Sequence, residues 1–290
     1  MFDKIALLGA KGYIGEAFQE YLKSKRVNFI PITRKECDLL DKDKLSDLLK
    51  EIKPSTIINC AGYTGYPNVD ACENNKQECK DKNYEVPKNI SEIAYDLNIK
   101  WIHVSSGCIY YGDNNGKGFS EEDEPNFCFK SLPCSYYSGV KADAEIMLKN
   151  DKNVYICRLR IPFNQIPHQK NYLTKLLKYD RILNAVNSLS NTNEFVEACY
   201  YLLEKECDTG IYNITNAGSI ETKFVIKLIN KYITSKEFIF FEDDKDFYST
   251  AAKTPRSNCI LDNTKILNAG FKMRHVVEAL EESVMKYEIN

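Results

Sequence analysis

The 290 residues predict an α/β protein: a doubly wound parallel sheet with a smaller carboxy-terminal α/β region behind it. Three observations carry this. Short apolar runs alternate with helical patterns over the first 160 residues, as βαβ units require. A Gly9-x-x-Gly12-x-x-Gly15 run sits between the first strand and the first helix. The alternation breaks after Arg160, where Pro162 and Pro167 bracket a loop.

Lys4–Leu8 (KIALL) is apolar throughout, which suits a strand buried on both faces. The following helix carries Ile14, Ala17, Phe18 and Leu22 on one side. Val27–Ile32 is the second strand, Leu45–Ile52 a helix stopped by Pro54, and Thr56–Cys60 the third strand. A helix over about 75–97 leads to the strand Trp101–Ser105, then a polar loop over 112–133. Tyr136–Asn150 is helical and Val154–Leu159 is a strand. Beyond it, helices are expected at 171–179, 221–232 and 276–287, and strands at 210–215 and 238–241. Residues 1–160, with a returning segment over 185–215, form the nucleotide-binding domain in this reading. Residues 161–184 and 216–290 form the substrate domain.

Composition narrows the function. The chain is 43% hydrophobic and 28% charged with a net charge of −2, and its basic residues are interspersed with acidic ones. No nucleic-acid partner is expected. No apolar run approaches the roughly 18 residues of a membrane span. Met1–Ala10 lacks a signal-peptide layout, so a cytoplasmic location is expected. The 11 cysteines contain no CxxC pair and there are 3 histidines, so no metal site is expected. Free thiols in a reducing compartment are the reading for most of them.

The glycine run allows a tight turn and lets backbone approach a pyrophosphate at a helix amino terminus. Gly9, Lys11, Gly12, Tyr13, Ile14 and Gly15 are therefore candidate cofactor contacts. An acidic residue at the end of the second strand would read a ribose 2′-hydroxyl; this chain has Arg34 instead, which suits the 2′-phosphate of NADPH. NADH and a merely solvated Arg34 remain the alternatives. Asp38 and Leu39 are placed at the adenine edge, and Cys60, Ala61 and Gly62 end the third strand beside the cofactor.

Tyr137 and Lys141 stand one helical turn apart and face the same way. An ammonium there lowers the phenol pKa, and the tyrosine can pass a proton while hydride moves. Ser105-Ser106 at a strand end precedes them.

Together these features resemble the extended short-chain dehydrogenase/reductase family, a Rossmann-like fold, over essentially the whole chain. The resemblance implies Ser106, Tyr137 and Lys141 as the catalytic triad, with Asn83 in a proton relay. Within it, the chain is similar to dTDP-4-dehydrorhamnose reductases. It is most similar to the plant-type bifunctional 3,5-epimerase/4-reductases that act on UDP-4-keto-6-deoxyglucose. The segments that carry this are 61–73, Ser106-Gly-Cys-Ile109, 118–127, Arg158-Leu-Arg-Ile-Pro162, Asn171-Tyr-Leu-Thr-Lys175 and Pro255-Arg-Ser-Asn258. The match is inexact over 128–134 and 187–194.

The resemblance implies Cys108 and Lys175 as the epimerase acid/base pair, the lysine favouring the thiolate. Core packing for Cys108 and a solvated Lys175 are the plainer alternatives. Tyr63, Asn68, Cys108, Asn187 and Arg256 are candidate substrate contacts, Arg256 as a bidentate clamp on the pyrophosphate. The substrate is expected to be a UDP- or dTDP-linked 4-keto-6-deoxyhexose, and the assembly a homodimer. A dehydratase is disfavoured, because Gly107 and Cys108 stand where that activity has an Asp-Glu pair. A fucose-type epimerase/reductase on a GDP sugar and a non-catalytic NADP-binding regulatory subunit stay open.

Overall fold

A computed structural model of the chain describes residues 4–288. Met1, Phe2 and Asp3, at the start of the expected leaderless terminus, lie outside them.

Six parallel strands form one sheet in the order β10-β5-β4-β3-β1-β2. They are β1 (Ile5–Leu8), β2 (Phe29–Ile32), β3 (Thr56–Asn59), β4 (Trp101–Ser106), β5 (Val154–Leu159) and β10 (Gly210–Asn213). Two-residue strands lie in the segments beyond: β6 (Pro162–Phe163), β7 (Arg181–Ile182), β8 (Val186–Asn187), β9 (Ser190–Asn191), β11 (Ile220–Glu221) and β12 (Ile239–Phe240). Every residue of β1 and β3 is buried, as expected for strands covered on both faces.

The covering helices are α1 (Tyr13–Ser24), α2 (Lys42–Ile52), α3 (Ala71–Asn74), α4 (Lys76–Lys80), α5 (Val86–Asp96) and α6 (Tyr136–Leu148). They are followed by α7 (Tyr172–Lys178), α8 (Thr192–Glu204), α9 (Thr222–Tyr232), α10 (Asp244–Thr250), α11 (Thr264–Asn268) and α12 (Val276–Met285). One apolar layer joins Phe18 and Leu22 of α1 to Phe195, Cys199 and Leu202 of α8 across the sheet. The opposite layer joins Leu45 and Leu49 of α2 to Ile90 and Ile93 of α5. A third core, with Phe163, Leu173, Leu176, Val225, Ile229, Val276 and Leu280, lies in the carboxy-terminal half.

Several elements differ from the sequence reading, which did not include the short helices α3, α10 and α11 or the two-residue strands β6–β9 and β11. Helix α8 was not expected, although Asn191 caps it and accepts N–H bonds from Asn193 and Glu194. The long helix expected over 75–97 is interrupted by a π-helical turn, Asp81–Glu85. Pro87 has no N–H to offer the Asn83 carbonyl, so the α-helical register cannot run through this point.

Among the described residues no helix is long and apolar enough to cross a membrane. No group of three or more His, Cys, Asp or Glu side chains there could hold a metal. All 11 cysteines are free thiols.

Candidate active site

The carboxyl ends of β1 to β4 open into a cleft of about 1350 Å³, closed on its far side by segments 159–187 and 241–258. A crevice at strand carboxyl ends is where doubly wound sheets bind ligands. It is long enough to join the glycine loop, Ser106 and Tyr137 in one space.

Gly9 has φ +71° and a Cβ there would lie 2.5 Å from the Ala61 nitrogen, so only glycine lets the two loops meet. Gly12 precedes α1 without any side-chain cap, which leaves the first-turn N–H groups directed at the cleft. Lys11, Gly12, Tyr13 and Ile14 line it, as do Arg34, Asp38, Leu39, Cys60, Ala61 and Gly62. Gly15 does not. A Cβ on it would sit 2.3 Å from the Gly9 carbonyl oxygen, so this glycine packs the loop onto the helix instead of touching a ligand. Arg34 is exposed beside Thr33, whose N–H and hydroxyl donate to Glu36 at 2.7 and 2.5 Å. That pairing turns the carboxylate back onto its own loop. An uncapped helix start with one exposed guanidinium nearby fits a dinucleotide carrying a 2′-phosphate.

Helix α6 starts at Ser135, whose side chain accepts the Ser138 N–H. Its inner face presents Tyr137, Lys141 and Glu145 at four-residue spacing, opposite Ser106, His103 and Ser105 of β4. Lys141 is 3% exposed and sits 3.3 Å from His103 Nε2. Glu145 accepts from Ser105 at 2.5 Å and from Arg158 at 2.8 and 3.0 Å, which makes Arg158 structural.

The expected depression of the Tyr137 pKa is corrected by this geometry. Burial pushes the phenol well above its ordinary value, neighbouring thiols add to the rise, and Ser106 offsets only part. Burial also lowers Lys141. Tyr137 is therefore a phenol at neutral pH, the form that can donate a proton.

Cys108 is corrected in two ways. It is 7% exposed, lies behind Ser106 and does not line the cleft. Burial pushes its thiol up, and the cations that counter this are Arg160 and Lys141, not Lys175. Lys175 stands across the cleft on α7, its pKa lowered by burial and by Lys170. The two are thus on different walls.

Asn83, in the π turn, lines the cleft but its amide is committed. It accepts from the Tyr63 N–H at 3.1 Å and donates to the Tyr63 and Cys79 carbonyls at 2.8 and 2.9 Å. Tyr63 is thereby turned into a small cluster with Cys72 and Cys79, and does not line the cleft as a substrate contact would. Asn68 does line it.

Asn187 lines the cleft and accepts from Arg160 at 2.6 Å. Arg256 also lines it, yet both terminal nitrogens are taken by Asp70, at 2.6 and 2.8 Å. The guanidinium is a strap between two loops in this structure, not a free clamp. Sequence reasoning missed Asp70, and it missed the stacking of Tyr13 on His168 at 4.5 Å. No spacing rule links residues so far apart in the chain.

The family described as RmlD substrate binding domain matches residues 3–289. The chain belongs to this family. An Arabidopsis thaliana relative is named a bifunctional dTDP-4-dehydrorhamnose 3,5-epimerase/dTDP-4-dehydrorhamnose reductase. It is 30% identical over 97% of this chain and 92% of its own length. A trifunctional UDP-glucose 4,6-dehydratase/UDP-4-keto-6-deoxy-D-glucose 3,5-epimerase/UDP-4-keto-L-rhamnose-reductase of the same plant is 27% identical over 98% of this chain, which spans only 42% of that protein.

Among solved structures, the L780 UDP-rhamnose synthase of Acanthamoeba polyphaga mimivirus superposes with a TM-score of 0.90 at 24% identity. The match covers 98% of this chain and 99% of that one. A dTDP-4-dehydrorhamnose reductase of Bacillus anthracis, solved with NADP, gives 0.83 at 19% identity and 99% coverage of both. These two establish the RmlD-type fold for the whole described chain.

Proposed function

We propose that this RmlD-family protein is an NADPH-dependent reductase of the C4 ketone of a nucleotide-linked 4-keto-6-deoxyhexose. It combines this with 3- or 3,5-epimerisation, giving UDP- or dTDP-L-rhamnose or a related deoxysugar. The observation that carries the reading is one continuous cleft. It holds an uncapped helix start with Arg34 at one end, Ser106, Tyr137 and Lys141 at its middle, and Lys175, Asn187 and Arg256 on the far wall. The Arabidopsis relative with both activities in its name, alike over nearly the full chain, supports it.

The α1 amino terminus and Lys11 receive the cofactor diphosphate, and Arg34 its 2′-phosphate. NADPH, when bound, supplies the hydride. Tyr137 donates its proton to the C4 oxygen, and Ser106 hydrogen-bonds the same oxygen and stabilises charge that develops there. A C4 ketone acidifies the neighbouring C–H groups, because the resulting anion delocalises into the carbonyl. Inversion needs a base on one face of the ring and an acid on the other. Lys175 on α7 faces the cleft from the far wall, whereas Cys108 lies beneath Ser106, so the pair would act on opposite faces of the ring only if the turn after β4 opens to bring the thiol to the cleft.

In this reading residues 1–160 with the 185–215 segment hold the cofactor, and 161–184 with 216–290 hold the sugar nucleotide. It extends to a cytoplasmic homodimer, which sedimentation would test.

The decisive experiment supplies UDP-4-keto-6-deoxyglucose and NADPH in deuterated water and reads the product by NMR. Deuterium at C3 and C5 of a rhamnose product, with NADPH consumed, is the expected result. Reduction without deuterium removes the epimerase half of the proposal, and no turnover with either UDP or dTDP sugars removes all of it.

A further inference from the structure

Arg160, Arg181 and Arg256 all line the far wall of the cleft. Two of them are matched within the protein, Arg181 by Asp246 at 2.5 Å and Arg256 by Asp70 at 2.6 Å. Arg160 is only 6% exposed, yet it pairs with no carboxylate among the described residues. Asp38, at the adenine end, is the one acidic side chain among the described residues that lines the cleft. Arg158, two residues earlier, shows the contrast: it is 1% exposed and held by Glu145 at 2.8 and 3.0 Å. Burial strips a guanidinium of its hydration, and without an anion nothing offsets that cost. Such a violation is expected at a functional site, where the ligand brings the missing charge.

The hydrogen bonds of Arg160 show which of its groups are committed. Its N–H donates to the Ser190 hydroxyl at 3.0 Å and its carbonyl accepts the Ser190 N–H at 2.7 Å, which fixes the backbone. Nη2 donates to Asn187 Oδ1 at 2.6 Å and to the Ser257 carbonyl. Asn187 is held in that orientation, because the same oxygen accepts the Cys259 N–H at 2.9 Å and Nδ2 donates to Asn258 at 3.2 Å. All these partners are neutral. Nε is buried and donates to nothing. It is bonded to Cδ, and a Cβ on Gly107 would lie 3.5 Å from that carbon. The unmatched N–H therefore belongs to the part of the side chain beside the Ser106–Gly107 turn. Cys108 and Tyr172 feel the charge, but burial raises both acids, so neither is an anion at neutral pH.

We propose that Arg160 is a further catalytic residue, the cation that stabilises the enolate oxygen during epimerisation. The inference rests on the reading of this protein as an epimerase/reductase of a 4-keto sugar. When a base takes the proton from C3 or C5, the C–H electron pair becomes a ring double bond to C4. The carbonyl π pair then moves onto the C4 oxygen. Return of a proton to the opposite face of the same carbon reverses both shifts, so the sugar neither gains nor loses electrons. Whichever carbon is inverted, the negative charge comes to rest on that one oxygen, so one fixed cation beside Ser106 serves both inversions. Reduction makes a smaller demand, because the Tyr137 proton meets the charge on the oxygen as hydride arrives. A guanidinium with no resident carboxylate acts with its full charge on the oxyanion. The other anion of the ligand, the diphosphate, hangs on C1, across the ring from the carbonyl that Ser106 holds.

Arg160→Met removes the charge and leaves an apolar side chain in its place, a change that buried sites commonly tolerate. Epimerisation is isolated by supplying UDP-4-keto-6-deoxyglucose with NADP⁺, which has no hydride to give, in deuterated water. Label entering C3 and C5 is followed by NMR. At saturating substrate the variant is expected to lose about 10²- to 10³-fold in exchange rate, as when one oxyanion donor is removed. Its reduction of the already epimerised ketone with NADPH should fall by about tenfold or less. Arg160→Lys keeps a charge but not the fixed fork, so its exchange should lie between the two other proteins, with reduction preserved. The lysine variant carries the test alone should the methionine variant fail to fold.

Unchanged exchange in the folded variants overturns the proposal. Equal losses of exchange and reduction also overturn it, and would make Arg160 a support for Asn187 and Ser257. A Kd for UDP that rises by the factor lost in exchange would place the guanidinium on the diphosphate instead. If the unsubstituted protein exchanges no label, the epimerase reading itself fails. Exchange that is present but indifferent to Arg160 strikes this inference alone.

Discussion

The two walls of the cleft are built differently. The sheet wall consists of strand ends and the α6 face, where Lys141, His103, Asn59 and Cys108 are all more than nine-tenths buried. Its polar groups bond to neighbours one strand or one helical turn away. The far wall consists of two-residue strands and short helices, and α10 buries none of its residues. It is fastened by contacts very distant in the chain, such as Asp70 to Arg256 and Arg160 to the Ser257 carbonyl. The contrast teaches where each kind of chemistry resides: proton transfer needs fixed, desolvated groups, whereas admission of a large substrate suits a wall held by exchangeable ion pairs.

The sharpest way to break the comparison is Tyr137→Phe on the sheet wall. It should reduce the rate of NADPH oxidation by substrate by about 10²- to 10⁴-fold, the usual worth of a positioned acid, with cofactor affinity retained. A fall of less than tenfold, seen by absorbance at saturating NADPH, would move the proton donor elsewhere.

On the far wall, Lys175→Met should abolish deuterium incorporation at C3 or C5, a loss of about 10²-fold or more. Reduction of an already epimerised ketone should survive. If both activities fell together, Lys175 would be a binding group and the walls would not divide the labour.

At the cofactor end, Arg34→Ala should raise KM for NADPH about tenfold, the worth of one charge-assisted contact, and leave NADH unaffected. Equal effects on both cofactors would remove the 2′-phosphate from its surroundings.

The smallest effect concerns the strap. Burial alone would raise the Asp70 pKa, but hydrogen bonds from Arg256 and Thr254 outweigh it and bring the group to about 2. A carboxylate with a lowered folded pKa contributes stability that is present above its unfolded value near 4. That contribution is lost as pH falls from about 4 towards 2. Asp70→Asn should cost on the order of 1–2 kcal/mol at pH 7 in denaturant melts, and much less at pH 2. A pH-independent difference would mean that the strap holds by packing and not by charge.

The legibility of the molecule follows the same division. All six sheet strands were readable: β1 and β3, buried at every residue, are continuous apolar runs, and the edge strands β2 and β10 stand out as short apolar-rich segments between helical patterns and turns. Tyr137 and Lys141 were readable because helical spacing alone sets them on one face. The π turn was hidden, since an α-helical reading takes Asn83 and Pro87 as ordinary members of one long helix. Helix α8 was passed over although Asn191 and Glu194 mark its start and Asn193, Glu197 and Glu204 form its exposed polar stripe.

The sequence by itself determined the parallel sheet, the phosphate loop and the tyrosine–lysine pair, because each depends on local periodicity or on glycine at a fixed turn. Tertiary structure alone decided that Gly15 packs the loop, that Tyr63 turns away, that Cys108 is buried behind Ser106 and that Arg256 is bound by Asp70. Burial and hydrogen-bond polarity are properties of neighbours brought from other strands and helices, and no spacing along one chain records them.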